Sequence, residues 1–91
     1  MSQHNDILKF EIAAGIQDGL TIERTVQRIQ AILEALEWDE ETVDAVPSDC
    51  LGVAYWMKTQ KDELYGVTHQ QLQSFMNELA RQYGLNPVGF N

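Results

Sequence analysis

The alternation of hydrophobic and polar positions is clearest between Thr21 and Glu37, where apolar side chains recur every three or four residues. Residues with this spacing share one face of a helix, and the charged and amide side chains between them suit the solvated face. Thr21 is predicted to cap the helix, because its hydroxyl can accept a hydrogen bond from a first-turn N–H. The apolar stripe consists of Ile22, Val26, Ile29, Ile32, Leu33 and Leu36.

The stretch before this central helix, residues 6–17, fits two patterns. Apolar residues recur every four positions from Leu8 to Ile16, as in a helix, but apolar and charged residues also alternate, as in a half-buried strand. The alanine pair inside the stretch and the helical pattern that follows favour a helix, with Asn5 as its N-cap. Gly15 weakens this helix by roughly 1 kcal/mol relative to alanine.

A short third helix is predicted at residues 40–46. Asp39 is a suitable N-cap, and Trp38 and Val43 stand at the positions of a hydrophobic staple. Pro47 would end the helix, since the residue before a proline is biased away from helical backbone angles.

The fourth helix is predicted at residues 49–64, with Ser48 as its N-cap and Gly66 after its end. Apolar side chains nearly encircle its first half, which indicates a helix central to the core or partly covered by another chain. Aromatic residues and methionine are also favoured at interface cores. The candidate apolar interface comprises Tyr55, Trp56 and Met57, although burial of all three in the core is the favoured interpretation.

The last helix has the best-defined boundaries. Thr68 and Gln71 have the spacing of a capping box, with Val67 and Leu72 as a hydrophobic staple. Gly84 suits the left-handed position that follows many helices.

These patterns predict an all-α fold, a small compact bundle of four to five short helices. A chain of 91 residues is expected to form a single domain, 1–91. The polar N-terminus, residues 1–5, and the tail, residues 86–91, are expected to be the least ordered parts.

The formal net charge is −8 at pH 7, which excludes direct binding of nucleic acid unless the cations are gathered on one face. They are instead spread along the chain, at Lys9, Arg24, Arg28, Lys58, Lys61 and Arg81. The longest apolar run, residues 53–57, is far too short for a membrane span. One cysteine cannot form an internal disulfide, so a reducing, cytoplasmic location is expected.

The residues that most often carry chemistry do not form a recognisable site. His4 and His69 lack metal-ligand spacing, and a solvated position in the first turn of the last helix is favoured for His69. Cys50 is interpreted as a core residue, because the like charge of Asp49 disfavours its thiolate and no nucleophile motif surrounds it. We therefore expect no metal, no cofactor and no enzymatic activity.

The densest charge in the chain lies at the end of the central helix and in the segment after it. Five acids and no base fall within residues 38–50, so −5 of the net −8 is located there. On the sequence alone, a solvated face with acids placed at helix N-termini is favoured over a functional surface. The candidate acidic surface consists of Glu34, Glu37, Asp39, Glu40, Glu41 and Asp44.

The leading functional hypothesis is a non-enzymatic interaction module, a regulator or inhibitor, whose acidic surface docks a basic partner protein. A partner that itself handles nucleic acid is the natural source of such a basic surface. In small size and acidity the chain is similar to small acidic inhibitors of nucleic-acid enzymes. The alternative is a structural or assembly subunit that forms a homodimer or larger homo-oligomer through the fourth helix. A helix-turn-helix regulator is disfavoured, because the candidate reading helix would open with Asp49.

Overall fold

A computed structural model describes residues 3–60 and 65–85, and its described residues contain helices and no strands. The all-α prediction is confirmed. The expectations for the tail, for the first two residues and for residues 61–64 lie outside the described ranges. The helices are α1 (Gln3–Asp18), α2 (Ile22–Ala35), α3 (Glu40–Asp44), α4 (Val46–Thr59) and α5 (His69–Tyr83).

One hydrophobic core is shared by all five helices, and α4 lies at its centre. It packs against α1, α2, α3 and α5, most extensively against α5. This arrangement explains the apolar residues around α4, which need contacts on several sides. The largest fully buried side chains include Leu8, Ile12, Ile29, Leu33, Met57, Leu72, Met76 and Leu79.

The predicted N-caps of α2 and α3 are confirmed. The Oγ1 atom of Thr21 accepts a hydrogen bond from the backbone N–H of Arg24 at 3.2 Å. The Oδ1 atom of Asp39 accepts one from the backbone N–H of Thr42 at 2.8 Å. Hydrogen bonds from Thr42 also hold the pKa of the Asp39 carboxyl below its ordinary value, because they favour the charged form.

The capping box of α5 is also confirmed. The backbone N–H of Gln71 donates to Thr68 Oγ1 at 3.0 Å, and the backbone N–H of Thr68 donates to Gln71 Oε1 at 2.8 Å. At the other end, Gly84 adopts a left-handed conformation, with φ of 63°. The following N–H, of Leu85, donates to Ala80 O at 2.9 Å and completes the turn that was predicted after this helix.

The first helix is longer than predicted. Residues 6–17 are helical and not extended, but the helix already includes Gln3, so Asn5 is inside it and the N-cap prediction for Asn5 is wrong. The physical reason is a tertiary contact: the ring of His4 packs against the ring of Trp38, with centroids 5.6 Å apart. The first turn of α1 is thus held against the segment between α2 and α3.

The boundary between α3 and α4 also differs from the prediction. Helix α3 ends at Asp44, and α4 begins at Val46, so Ser48 is inside α4 and does not cap it. Pro47 was interpreted only as the end of one helix. It stands instead in the first turn of the next, where a backbone N–H would have no helical partner and its absence costs nothing. Helix α4 ends at Thr59, earlier than predicted.

Candidate functional site

The six acidic side chains singled out in the sequence are all exposed. They come from the C-terminal end of α2, the connecting segment and α3, and Gln30 of α2 joins these elements by donating a hydrogen bond to Val43 O at 3.1 Å. We call this group the acidic surface; it consists of Glu34, Glu37, Asp39, Glu40, Glu41 and Asp44.

Two members of the acidic surface occupy positions that local energetics disfavour. Glu34 and Glu37 lie at the C-terminal end of α2, where the helix dipole favours cations, and the last turn of α2 contains no basic residue. Glu37 also has a left-handed backbone, with φ of 64°, where glycine is usual. Stabilisation of a helix N-terminus by negative charge therefore does not explain the positions of these two carboxylates.

No member of the acidic surface forms an ion pair with a cation among residues 3–60 and 65–85. Other carboxylates in the same ranges do: Glu11 lies 3.1 Å from Arg28 Nε, and Asp6 lies 3.3 Å from Lys9 Nζ. The charge of the acidic surface is thus not neutralised by the cations that the structure describes.

The candidate apolar interface of α4 is divided between the core and the surface. Met57 is fully buried and Tyr55 is half-buried, whereas 40% of Trp56 is exposed, so the favoured expectation that Trp56 is buried is wrong. The side chain that is buried beside it is Lys9, whose Nζ lies 4.6 Å from the Trp56 ring centroid. The aliphatic part of the Lys9 side chain is buried, and the indole of Trp56 lies at the surface.

A cleft of about 660 Å³ opens between α1 and α4. Its size is within the range of small-ligand sites, and it combines aromatic and charged side chains. We call it the α1–α4 cleft; its walls include His4 and Lys9 from α1, Asp49, Gly52 and Trp56 from α4, and Tyr65.

At one end of the cleft, His4 joins the two helices. Its Nε2 atom is buried and lies 3.3 Å from Asp49 Oδ2, within ion-pair distance for a protonated ring but outside the geometry of a hydrogen bond. Its Nδ1 atom lies 3.2 Å from the side-chain oxygen of Asn5. His4 and Asp49 are forty-five positions apart, and no sequence pattern predicts that they are neighbours.

The lining of the cleft also contains Gly52, an interior residue of α4. A β-carbon built at Gly52 would meet no atom within 4 Å, and its backbone is not left-handed. Neither packing nor backbone conformation therefore requires glycine here, and it costs the helix roughly 1 kcal/mol relative to alanine. Ser48, Gly52 and Trp56 are four residues apart, so one face of α4 carries small residues beside a large aromatic.

At the other end, Tyr65 forms an exposed aromatic pair with Phe10 of α1, with ring centroids 5.0 Å apart. Phe10 is 57% exposed. Tyr65 has a left-handed backbone, with φ of 52°, and its carbonyl oxygen accepts a hydrogen bond from Gln17 Nε2 at 2.8 Å. Tyr65, which lines the cleft, is therefore held against α1 by a ring contact and a hydrogen bond.

The remaining candidates are placed as the sequence predicted. Cys50 is fully buried, and desolvation, with the charge of Asp49 as a smaller cause, raises the pKa of its thiol to about 12. It is therefore a neutral thiol at pH 7 and a poor nucleophile. His69 is exposed in the first turn of α5.

Sequence reasoning did not find the α1–α4 cleft, because its residues come from distant segments without a motif. The one local signal was Gly52, an interior glycine within a strongly apolar helix pattern, which usually has a packing or functional reason.

Within the described ranges, no group of three or more histidine, cysteine, aspartate or glutamate residues is placed to hold a metal ion. None of the helices described has both the length and the apolar character that crossing a membrane requires. Comparison with protein-family models, with curated proteins and with solved structures gave no match.

Proposed function

We propose that the protein is a non-enzymatic interaction module, a regulator or inhibitor, that docks a basic partner protein through the acidic surface. The observation that carries this proposal is the placement of Glu34 and Glu37. Both are exposed at the end of α2 where a negative charge is unfavourable, and neither has a cation partner among the described residues. Local rules are most often broken where a residue serves a function.

The acidic surface favours a partner with a basic face, since complementary charge speeds encounter and fixes orientation. A protein that itself binds nucleic acid is the natural source of such a face. A cytoplasmic partner is part of the proposal, in keeping with the unpaired, protonated thiol of Cys50.

The test compares two double variants with the same change of charge. Glu40→Gln with Asp44→Asn removes two charges from the acidic surface and leaves the cap Asp39 intact. Asp18→Asn with Glu23→Gln removes two exposed charges elsewhere. Proteins captured from a native extract at low salt by the wild-type chain but not by the first variant identify the partner, and its association rate is then measured with all three chains.

The first variant should slow association with the purified partner, and the difference from wild type should shrink as the salt concentration rises. The second variant should associate nearly as fast as wild type. If both variants slowed association equally, the net charge and not the acidic surface would be responsible, and the proposal would be rejected.

Self-association through α4 is the second candidate. The exposure of Trp56 favours it, but burial of Met57 and half-burial of Tyr55 leave a small apolar area on this helix. Stable interfaces bury roughly 800 Å² on each partner. Sedimentation across a wide concentration range distinguishes the two: a dimer that Trp56→Ala dissociates at all salt concentrations would favour this candidate.

A further inference from the structure

We infer that the α1–α4 cleft is a second part of the same docking surface and that it receives an arginine side chain from the basic partner. The inference rests on the proposed function, because it takes the occupant from the same partner. It is carried by the shape of the cleft, by the chemistry of its walls and by its position beside the acidic surface.

The shape of the cleft depends on Gly52. Gly52 lines the cleft, and a β-carbon at this position would meet no atom within 4 Å. The glycine thus leaves open space at the lining that a larger side chain would occupy. Trp56, one helical turn further along α4, is an aromatic residue of the same lining.

The walls have the chemistry that recognises a planar cation. The Trp56 ring already contacts one cation of the chain, Lys9 Nζ at 4.6 Å, and 40% of the residue is still exposed. Tyr65 supplies a second aromatic group in the lining. Guanidinium groups stack on such rings and also bind carboxylates through two parallel hydrogen bonds.

The charges of the lining favour a cation over an anion. Asp6 and Asp49 both line the cleft, and Lys9 is its only lining lysine or arginine among the described residues. Lys9 forms an ion pair with Asp6 at 3.3 Å. When histidine is left out, as in the formal net charge of −8, the described lining residues carry two carboxylates and one ammonium group. Both carboxylates would repel an anionic ligand.

The cleft and the acidic surface are linked by one ring contact. The His4 ring, at one end of the cleft, contacts the ring of Trp38, and Trp38 lies between Glu37 and Asp39 of the acidic surface. A basic segment with one arginine in the cleft can therefore direct its other cations toward the acidic surface. The arginine in the cleft would then contribute mainly to the affinity of the complex, and the acidic surface mainly to the association rate.

The test uses N-acetyl-arginine amide as the probe, with the amide and indole N–H resonances of the isotope-labelled protein as the readout. Binding in the millimolar range should shift the resonances of Gly52, Val53 and the Trp56 indole. The corresponding lysine amide should bind more weakly, and the glutamate amide should not bind. Gly52→Leu should weaken the arginine response by about tenfold or more by filling the cleft. Asp49→Asn should weaken it without adding bulk.

Ala31→Leu, which adds apolar bulk at an exposed position of α2, is the control for Gly52→Leu and should leave the response unchanged. Glu40→Gln with Asp44→Asn should also leave it unchanged, so persistence of the response in that variant separates the cleft from the acidic surface. The inference would be overturned if the wild-type chain showed no response to the arginine amide, or if Gly52→Leu responded as strongly as the wild-type chain. Either result would leave salt-dependent partner binding intact. Equal binding of the glutamate amide, or cleft resonances that shift with protein concentration alone, would overturn it in favour of another ligand or a second copy.

Discussion

Gly15 of α1 lies so close to Thr25 of α2 that a β-carbon at Gly15 would come within 2.5 Å of Thr25 Oγ1. Thr25 is buried, and its hydroxyl donates a hydrogen bond to Thr21 O at 3.1 Å. The glycine that the sequence pattern marks as a weakness of α1 is therefore the residue that lets the two helices approach.

Gly15→Ala should lower the free energy of unfolding by about 1 kcal/mol, because the cost of overpacking exceeds the gain in helix propensity. Gly52→Ala is the matched control, since its β-carbon enters open space. It should raise the free energy of unfolding by up to about 1 kcal/mol. Urea denaturation measures both, and stabilisation by Gly15→Ala would show that the two helices are not in close contact there.

The same contact predicts coupling between the two sites. Thr25→Ala removes Oγ1 and Cγ2, the two atoms that come nearest to a β-carbon at Gly15. The double variant Gly15→Ala with Thr25→Ala should therefore lose less stability than the sum of the single variants. The difference should be about 1 kcal/mol, within the usual range for residues in contact. Strict additivity would contradict the close approach.

Glu37→Gly should stabilise the protein by about 1 kcal/mol, because glycine adopts the left-handed conformation of this position without a steric cost. Glu37→Ala removes the same charge but keeps the steric cost, and is the control. If both variants shift the urea midpoint equally, repulsion in the acidic surface and not the backbone is the cause.

Thr68→Ala should cost about 1 kcal/mol, since it leaves the backbone N–H of Gln71 without the acceptor that the capping box provides. Thr68→Ser keeps a hydroxyl at the same position and should lose much less. Identical urea midpoints for the alanine variant and the wild-type chain would mean that the capping box contributes nothing to stability.

Cys50 predicts a loss of stability at alkaline pH. Its pKa is raised from 9.0 to about 12 in the folded chain, so above pH 9 the unfolded chain releases a proton that the folded chain keeps. The free energy of unfolding should therefore fall as pH rises from about 9 toward 12, by at most about 1.4 kcal/mol per pH unit.

Cys50→Ala should lack this part of the pH dependence. Burial, with smaller effects of Glu23 and Cys50, also raises the pKa of Tyr83. Tyr83 is present in both chains, so only its interaction with Cys50 differs between them. The native thiol should also react slowly with a thiol reagent at pH 8. Rapid modification of the folded chain would show that Cys50 is accessible.

Much of the fold follows from local rules that the sequence displays. The stripe of α2 and the side chains of Thr21, Asp39 and Thr68 act within a few residues of their own position, so periodicity and capping chemistry predict them. Pro47 was ambiguous, because proline is compatible both with the end of one helix and with the first turn of the next.

The candidate site was less predictable, because tertiary contacts decide it. A tryptophan in an apolar helix is expected in the core, and a lysine on the surface, yet Lys9 is buried and Trp56 is exposed. Only the packing of α1 against α4 determines this exchange. The six acidic residues were identified from the sequence, but the unfavourable placement of Glu37 required its backbone angle.

The central position of α4 has a consequence for how the protein opens. Each of the other four helices described packs against α4, so α4 cannot become exposed unless the whole core separates. Its backbone amides from Cys50 to Met57 should exchange with deuterium only through global unfolding, at the slowest rate in the chain. Helix α3 has five residues and one buried side chain, Val43, so it can open locally and its amides should exchange much faster. The acidic surface therefore lies partly on the least protected helix, beside the most protected one.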